Sequence, residues 1–101
     1  MKLDEYQQKA REFRLPSANG VEYSTLGLCS EVGELAGKLK KSIRDGSGLN
    51  EMAAELGDCL WYIAAVADDL GVDLSGIADY NIEKLTSRKV RGKIKGSGDT
   101  R

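Results

Sequence analysis

The sequence holds no histidine. That absence removes a Ser-His-Asp triad, a Cys-His nucleophile pair, a histidine general base and histidine-ligated zinc or haem. Cysteine is scarce as well, with Cys29 and Cys59 alone. Two thiols cannot make a zinc site by themselves. Both lie in apolar, helix-patterned stretches and are expected as buried, reduced side chains, because free cysteine behaves as a small hydrophobe. A disulfide between them would imply a secreted protein, yet the polar start Met1-Lys2-Leu3-Asp4-Glu5 lacks a signal-peptide pattern. No run reaches the ~20 apolar residues that a membrane span needs, so a cytoplasmic location is expected. Sustained alternation and β-branched runs are also missing, which argues against strands.

What is present fits one small globular domain over residues 1–101, with 41% hydrophobic and 31% charged residues. The net charge of −1 hides an asymmetry. Residues 84–101 carry Lys84, Arg88, Lys89, Arg91, Lys93, Lys95 and Arg101 against Asp99, a net of +6, which leaves −7 on the rest. An acidic body and a basic end can hold a cation in one part and an anion in the other, though a solvated tail without a ligand gives the same count.

The apolar spacing predicts an all-α fold. A first helix runs from Asp4 to Phe13 and stops before Pro16. A second starts near Ser24 or Thr25, either a suitable cap, carries Leu28, Val32, Leu35 and Leu39 on one face, and ends at Asp45-Gly46. Gly33 and Gly37 inside it each cost roughly 1 kcal/mol against alanine, so a close neighbour is expected at that backbone. A third helix spans Glu51 to Leu70, with Asn50 as cap and Gly71 as stop. From Met52 to Leu70, 14 of 19 residues are apolar. A helix that is apolar nearly all round is buried nearly all round, which a single small chain cannot easily achieve, so a dimer or larger assembly is expected. A fourth helix starts at Asp73 or Ser75 and reaches Arg91, and residues 92–101 read as a flexible basic tail.

Four carboxylates stand out. Glu31 and Glu34 are three apart on the second helix. Three residues advance a helix by roughly 4.5 Å and return to within about 60° of the starting direction, so both share a face. Glu55 and Asp58 repeat the spacing on the third helix, and a short connection makes the two helices antiparallel neighbours. The pairs can then converge. Apolar neighbours, Val32 and Leu35 with Leu56 and Leu60, place them at the edge of the core. Converging carboxylates left unpaired are expensive, and a hard divalent cation removes that cost. Oxygen-only ligation suits Mg²⁺, or Mn²⁺ in its place, rather than zinc. The plainer alternative is an ordinary exposed acidic face laced with Lys38 and Lys41. Such a cation with basic residues nearby suits a phosphate ester. Lys84, Arg88 and Arg91 share one helical face and would meet the phosphates, although cations at a helix C-terminus also simply complement its dipole.

Glu31-Val32-Gly33-Glu34-Leu35-Ala36, followed by Glu55-Leu56-Gly57-Asp58-Cys59-Leu60-Trp61-Tyr62, resembles the MazG-type nucleoside triphosphate pyrophosphohydrolases. Their signature is Glu-Glu-x-x-Glu, a spacer and Glu-x-x-Asp. The likeness continues through Asn81-Ile82-Glu83-Lys84-Leu85, Arg88-Lys89-x-Arg91-Gly92 and Gly96-Ser97-Gly98-Asp99, and covers roughly residues 22–101. It implies an all-α, four-helix-bundle-like domain that assembles as a dimer or a dimer of dimers. It further implies Mg²⁺-dependent cleavage of a nucleoside triphosphate to monophosphate and pyrophosphate. By that resemblance Glu31, Glu34, Glu55 and Asp58 match metal ligands, Lys84 a phosphate-contacting lysine, Asn81 the asparagine three before it, and Tyr62 a nucleotide-contacting position. Trp61 is expected to pack in the core. Ser30 departs from the signature, standing where its first Glu would be. No general base is assigned; Glu34, with Glu31, is the candidate, because a ligand carboxylate can still orient a water.

Two other functions fit the same sequence. One is phosphoribosyl-ATP pyrophosphatase, which shares the fold. The other is a non-enzymatic helical dimer binding nucleic acid through its basic end, weakened by the lack of any aromatic for base stacking in residues 84–101.

Overall fold

The computed structural model describes residues 1–101 and contains four α-helices and no strand. They are α1 (Leu3–Arg11), α2 (Val21–Asp45), α3 (Leu49–Leu70) and α4 (Leu74–Val90), with a short 3₁₀ turn at Pro16–Ala18. The all-α expectation holds. Long α2 and α3 pack on each other as a hairpin that supplies most of the tertiary structure, and α1 packs across α3. Gly46 and Gly71 end α2 and α3 in the left-handed conformation, with φ of 72° and 71°, a geometry that glycine adopts without steric cost.

Helix starts differ from the local capping rules. Helix α2 begins at Val21, and Ser24 lies inside its first turn, wholly buried, its Oγ donating to Asp69 Oδ2 at 2.6 Å. Its hydroxyl serves a contact 45 residues away rather than a cap. Helix α3 begins at Leu49, so Asn50 lies within the helix, and Gly48 holds the cap position without a side-chain bond. The N-terminus of α4 is capped from α1: the Ser75 amide donates to Asp4 Oδ1 at 2.9 Å and the Leu74 amide to Gln7 Oε1 at 2.8 Å. These bonds fix α4 to α1.

The buried centre is small. Ala10, Ala64, Ala67 and Leu74 form it, with Tyr6 and Trp61 packed against them. The Trp61 indole donates to the Ala10 carbonyl at 3.0 Å, so Trp61 packs as expected. Only nine of 101 residues are buried. The radius of gyration is 16.3 Å, against about 13 Å for a compact domain of this length. Leu56, Leu60, Ile63 and Leu70 of α3 remain exposed in the single chain.

Three further expectations are corrected. Cys59 is buried but Cys29 is exposed. Nothing approaches the backbone at Gly33 or Gly37; the close approach is at Gly27, where the Tyr62 ring occupies the space of a Cβ. Residues 93–101 are not a free tail but a folded loop. Arg101 donates to the carbonyls of Lys93, Gly98 and Ile94 at 3.0, 2.7 and 2.9 Å. Arg88, only 5% exposed, donates to the Asp99 carbonyl at 2.8 Å.

Candidate metal centre

The antiparallel α2–α3 hairpin brings Glu31 of α2 opposite Glu55 and Asp58 of α3. One carboxylate oxygen from each lies within 4.8 Å of the others. Helical geometry accounts for this, since Glu55 and Asp58 are one turn apart on the face of α3 turned to α2. Glu31 and Glu55 are half-buried and Asp58 is exposed. None of the three makes a hydrogen bond or ion pair with another part of the chain. Glu34, one turn beyond Glu31, is exposed and outside this trio. It is near enough, however, to add to the charge around Glu31. Burial first, then Asp58, Glu55 and Glu34, pushes the Glu31 carboxyl above its ordinary value.

This donor set suits a hard divalent cation. It offers carboxylate oxygens only, on two mutually braced helices, and like charge crowds Glu31 without a neutralising cation from the chain. The lysine lacing does not supply one: Lys38 Nζ pairs with Glu51 at 3.2 Å, and Lys41 forms no ion pair.

Aromatic side chains border the trio. Tyr62 lies one turn beyond Asp58, packed edge-on against Trp61 with ring centroids 4.9 Å apart. Burial, then Tyr23 and Glu31, raises its hydroxyl pKa. Tyr6 of α1 is raised by burial and then by Asp58, so α1 also reaches this neighbourhood. Sequence reasoning missed Tyr23 and Tyr6. The spacing Tyr23-Gly27-Glu31, steps of four on one helical face, carried the signal for Tyr23. Nothing local marked Tyr6, whose position follows from how α1 crosses α3.

The basic residues stand apart from the trio. Helix α4 packs on α1 rather than along the α2–α3 hairpin. Lys84 Nζ binds Asp99 Oδ1 at 3.1 Å and lies 5.9 Å from the Tyr80 ring centre. Arg88 is buried beneath the 93–101 loop, and Arg91 donates to Ser87 Oγ at 3.0 Å. Asn81 is exposed one turn before Lys84. The largest clefts of the chain do not include the carboxylates; one lies beside Arg14, Leu15, Asn19 and Asp69, near the far end of α3.

An all-α chain whose two longest helices present an unpartnered oxygen cluster defines a class of helical proteins with a candidate divalent-metal centre. Within that class the chain belongs to the MazG nucleotide pyrophosphohydrolase domain family, whose pattern residues 20–91 match. It is also similar to the Gene 37 protein of Mycobacterium phage L5, 47% identical over 84% of this chain and 80% of that protein, whose name states no activity. No solved structure matches the chain significantly. No helix is long and apolar enough to cross a membrane.

Proposed function

We propose that the chain hydrolyses nucleoside triphosphates, or their deoxy forms, between the α and β phosphates, giving a monophosphate and pyrophosphate. The observation that carries this reading is the Glu31–Glu55–Asp58 trio, unpaired and within 4.8 Å, on the helices of the MazG domain. Those three carboxylates would hold Mg²⁺, with Mn²⁺ as a substitute. Glu34, exposed beside Glu31, would join them as a fourth ligand or orient the attacking water. When bound, such a cation supplies Lewis acidity and makes nearby water more acidic.

The remaining work falls to the chain. Tyr62, at the rim of the trio, positions the nucleoside. Lys84 meets phosphate oxygens as a point charge, Asn81 one turn away contributes a neutral amide, and Arg91 adds charge at the end of α4. Arg88 acts at one remove, holding the loop beside Lys84. Within one chain α4 leaves the carboxylate hairpin, so the cations and the trio meet when a second copy packs against the exposed apolar face of α3. A homodimer, or a pair of dimers, therefore completes both the core and the site. Removal of unwanted nucleotides in a cytoplasmic pool fits such an activity.

The test is pyrophosphate release from a panel of NTPs and dNTPs, with and without Mg²⁺, with light scattering for the mass in solution. Cation-dependent pyrophosphate together with a monophosphate product is the expected result. Phosphoribosyl-ATP belongs in the panel; turnover of it alone would reassign the substrate. A folded protein that releases pyrophosphate from none of them would overturn the reading.

A further inference from the structure

We propose that Asp99 is an internal stand-in for phosphate: its carboxylate occupies the cationic position at Lys84, and a phosphate group of the ligand displaces it on binding. The inference rests on the reading above in which Lys84 meets phosphate.

Three observations carry it. First, a single carboxylate oxygen of Asp99 faces two cations, Lys84 Nζ at 3.1 Å and Arg88 Nη2 at 3.5 Å. Lys84 within hydrogen-bond reach, with Arg88 behind it, makes this an oxyanion position that also suits a phosphate oxygen. Second, the Asp99 side chain is 84% exposed while those of Lys84 and Arg88 are 23% and 6% exposed. The anion therefore sits on the solvent side, where a ligand arrives, and the cations are held beneath it. Third, the loop does not need that carboxylate to stay folded. Arg88 anchors it through the main-chain carbonyls of Asp99 and Gly98, at 2.8 and 3.3 Å, and Arg101 through those of Lys93, Gly98 and Ile94. The side chain can swing away while the backbone remains.

Lys84, and after it Arg88, holds the Asp99 carboxyl below its ordinary value, which favours the ionised form. A phosphate ester carries more charge on more oxygens than one carboxylate and wins the exchange. Asp99 keeps Lys84 neutralised between ligands, at the cost of a modest competition. Its sign separates this role from a positioning role. A competitor weakens binding, whereas a residue that orients Lys84 for the ligand strengthens it.

The experiment titrates inorganic pyrophosphate into the full-length protein by calorimetry in chelator-containing buffer, using wild type, Asp99→Asn, Lys84→Ala and the double variant. Asp99→Asn removes the charge and keeps both carbonyl contacts; Asp99→Ala repeats the test with a second shape, and circular dichroism checks that each is folded. An exposed ion pair of this kind is worth about a two- to five-fold change. Asp99→Asn should therefore bind pyrophosphate about two- to five-fold tighter than wild type, with no gain in the Lys84→Ala background. If Lys84→Ala weakens binding while Asp99→Asn leaves it equal or weaker, Lys84 meets phosphate and the stand-in is wrong. If Lys84→Ala leaves binding unchanged, the phosphate role of Lys84 fails and the stand-in fails with it.

Discussion

The two ends of α3 treat acidic side chains in opposite ways. Towards its C-terminus, Asp68 and Asp69 are fully partnered. Arg11 donates to Asp68 through two nitrogens at 3.0 and 2.7 Å, and Gln7 adds a bond at 2.8 Å. Arg14 and Ser24 reach Asp69 at 2.7 and 2.6 Å. About ten residues earlier, roughly 15 Å along the helix, Glu55 and Asp58 face Glu31 with no partner at all. Both ends pack against neighbouring helices. The chain thus supplies arginines where acids hold α1 and α2 to α3, and withholds them where acids face one another. Carboxyl pKa values follow: Arg11 holds Asp68 low and Arg14 holds Asp69 low, while Glu31 is pushed up. On one helix the same residue types serve as scaffold and as a candidate ion site.

Breaking the scaffold end should give the largest loss of stability. The side chains of Arg14 and Asp69 are only 9% and 10% exposed, and Arg14 also donates to the Ala65 carbonyl at 3.0 Å. Removing one partner of a buried pair costs about 3–5 kcal/mol, because the other is left charged and unpaired. Arg14→Ala should lower the urea-unfolding free energy by about that amount. A change under about 1 kcal/mol would mean that the network is incidental.

The opposite end should behave inversely. Glu31→Gln removes like-charge crowding, so the metal-free protein should be as stable as wild type or slightly more so. Its thermal midpoint should no longer rise with added Mg²⁺ or Mn²⁺, since stabilisation by a ligand needs a site for it. Pyrophosphate release should fall at least about a hundred-fold, or about 2.7 kcal/mol. A variant that unfolds instead would place Glu31 with the scaffold acids and dissolve the contrast.

Gly27 lies between the two ends and tests the packing that joins them. A Cβ there would collide with the Tyr62 ring. Gly27→Ala should cost about 1–3 kcal/mol through overpacking, whereas Gly33→Ala, with open space at the same atom, should stabilise by up to about 1 kcal/mol through helix propensity. Equal effects on chemical denaturation would refute the packing assignment.

That pair of glycines also marks where sequence reading stops. All four helices, the stop at Gly46, and the convergence of Glu31 with Glu55 and Asp58 follow from periodicity and short-range spacing, and all three were legible. Which glycine faces a ring was not, because it depends on the rotation of α2 against α3. Ser24 looked like a cap and proved to be a partner of Asp69, 45 residues on. The basic tail looked free because the bonds from Arg88 and Arg101 go to main-chain carbonyls, which every sequence possesses and none advertises. Where α4 stands relative to the carboxylates was equally hidden, being set by Asp4 and Gln7 on another helix.

Acid should separate the two ends by sign. Asp68 and Asp69 are depressed below their ordinary 3.8, so their contribution is present above that pH and is lost as pH falls through the lower folded values. Glu31 is raised above its ordinary 4.5, so its contribution is present below 4.5 and is lost as pH rises through the higher folded value. Urea midpoints of the metal-free protein should therefore rise slightly on acidification just above pH 4.5 and fall below about pH 3.8. Glu31→Gln should erase the rise, and Asp69→Asn should flatten the fall.

The smallest effect concerns Lys38, one of the two lysines that lace the acidic face. Lys38 pairs with Glu51, whose side chain is 64% exposed, across the tip of the hairpin. Exposed pairs are worth about 0.2–1 kcal/mol, so Lys38→Ala should cost less than about 1 kcal/mol in urea. Its effect on Mn²⁺ affinity carries more meaning than its effect on stability. If the carboxylates face one another unpaired, losing a nearby positive charge should leave Mn²⁺ binding unchanged or slightly tighter. If Lys38 holds the acidic face together, as an ordinary laced surface requires, the same substitution should let the carboxylates spread apart and weaken Mn²⁺ binding.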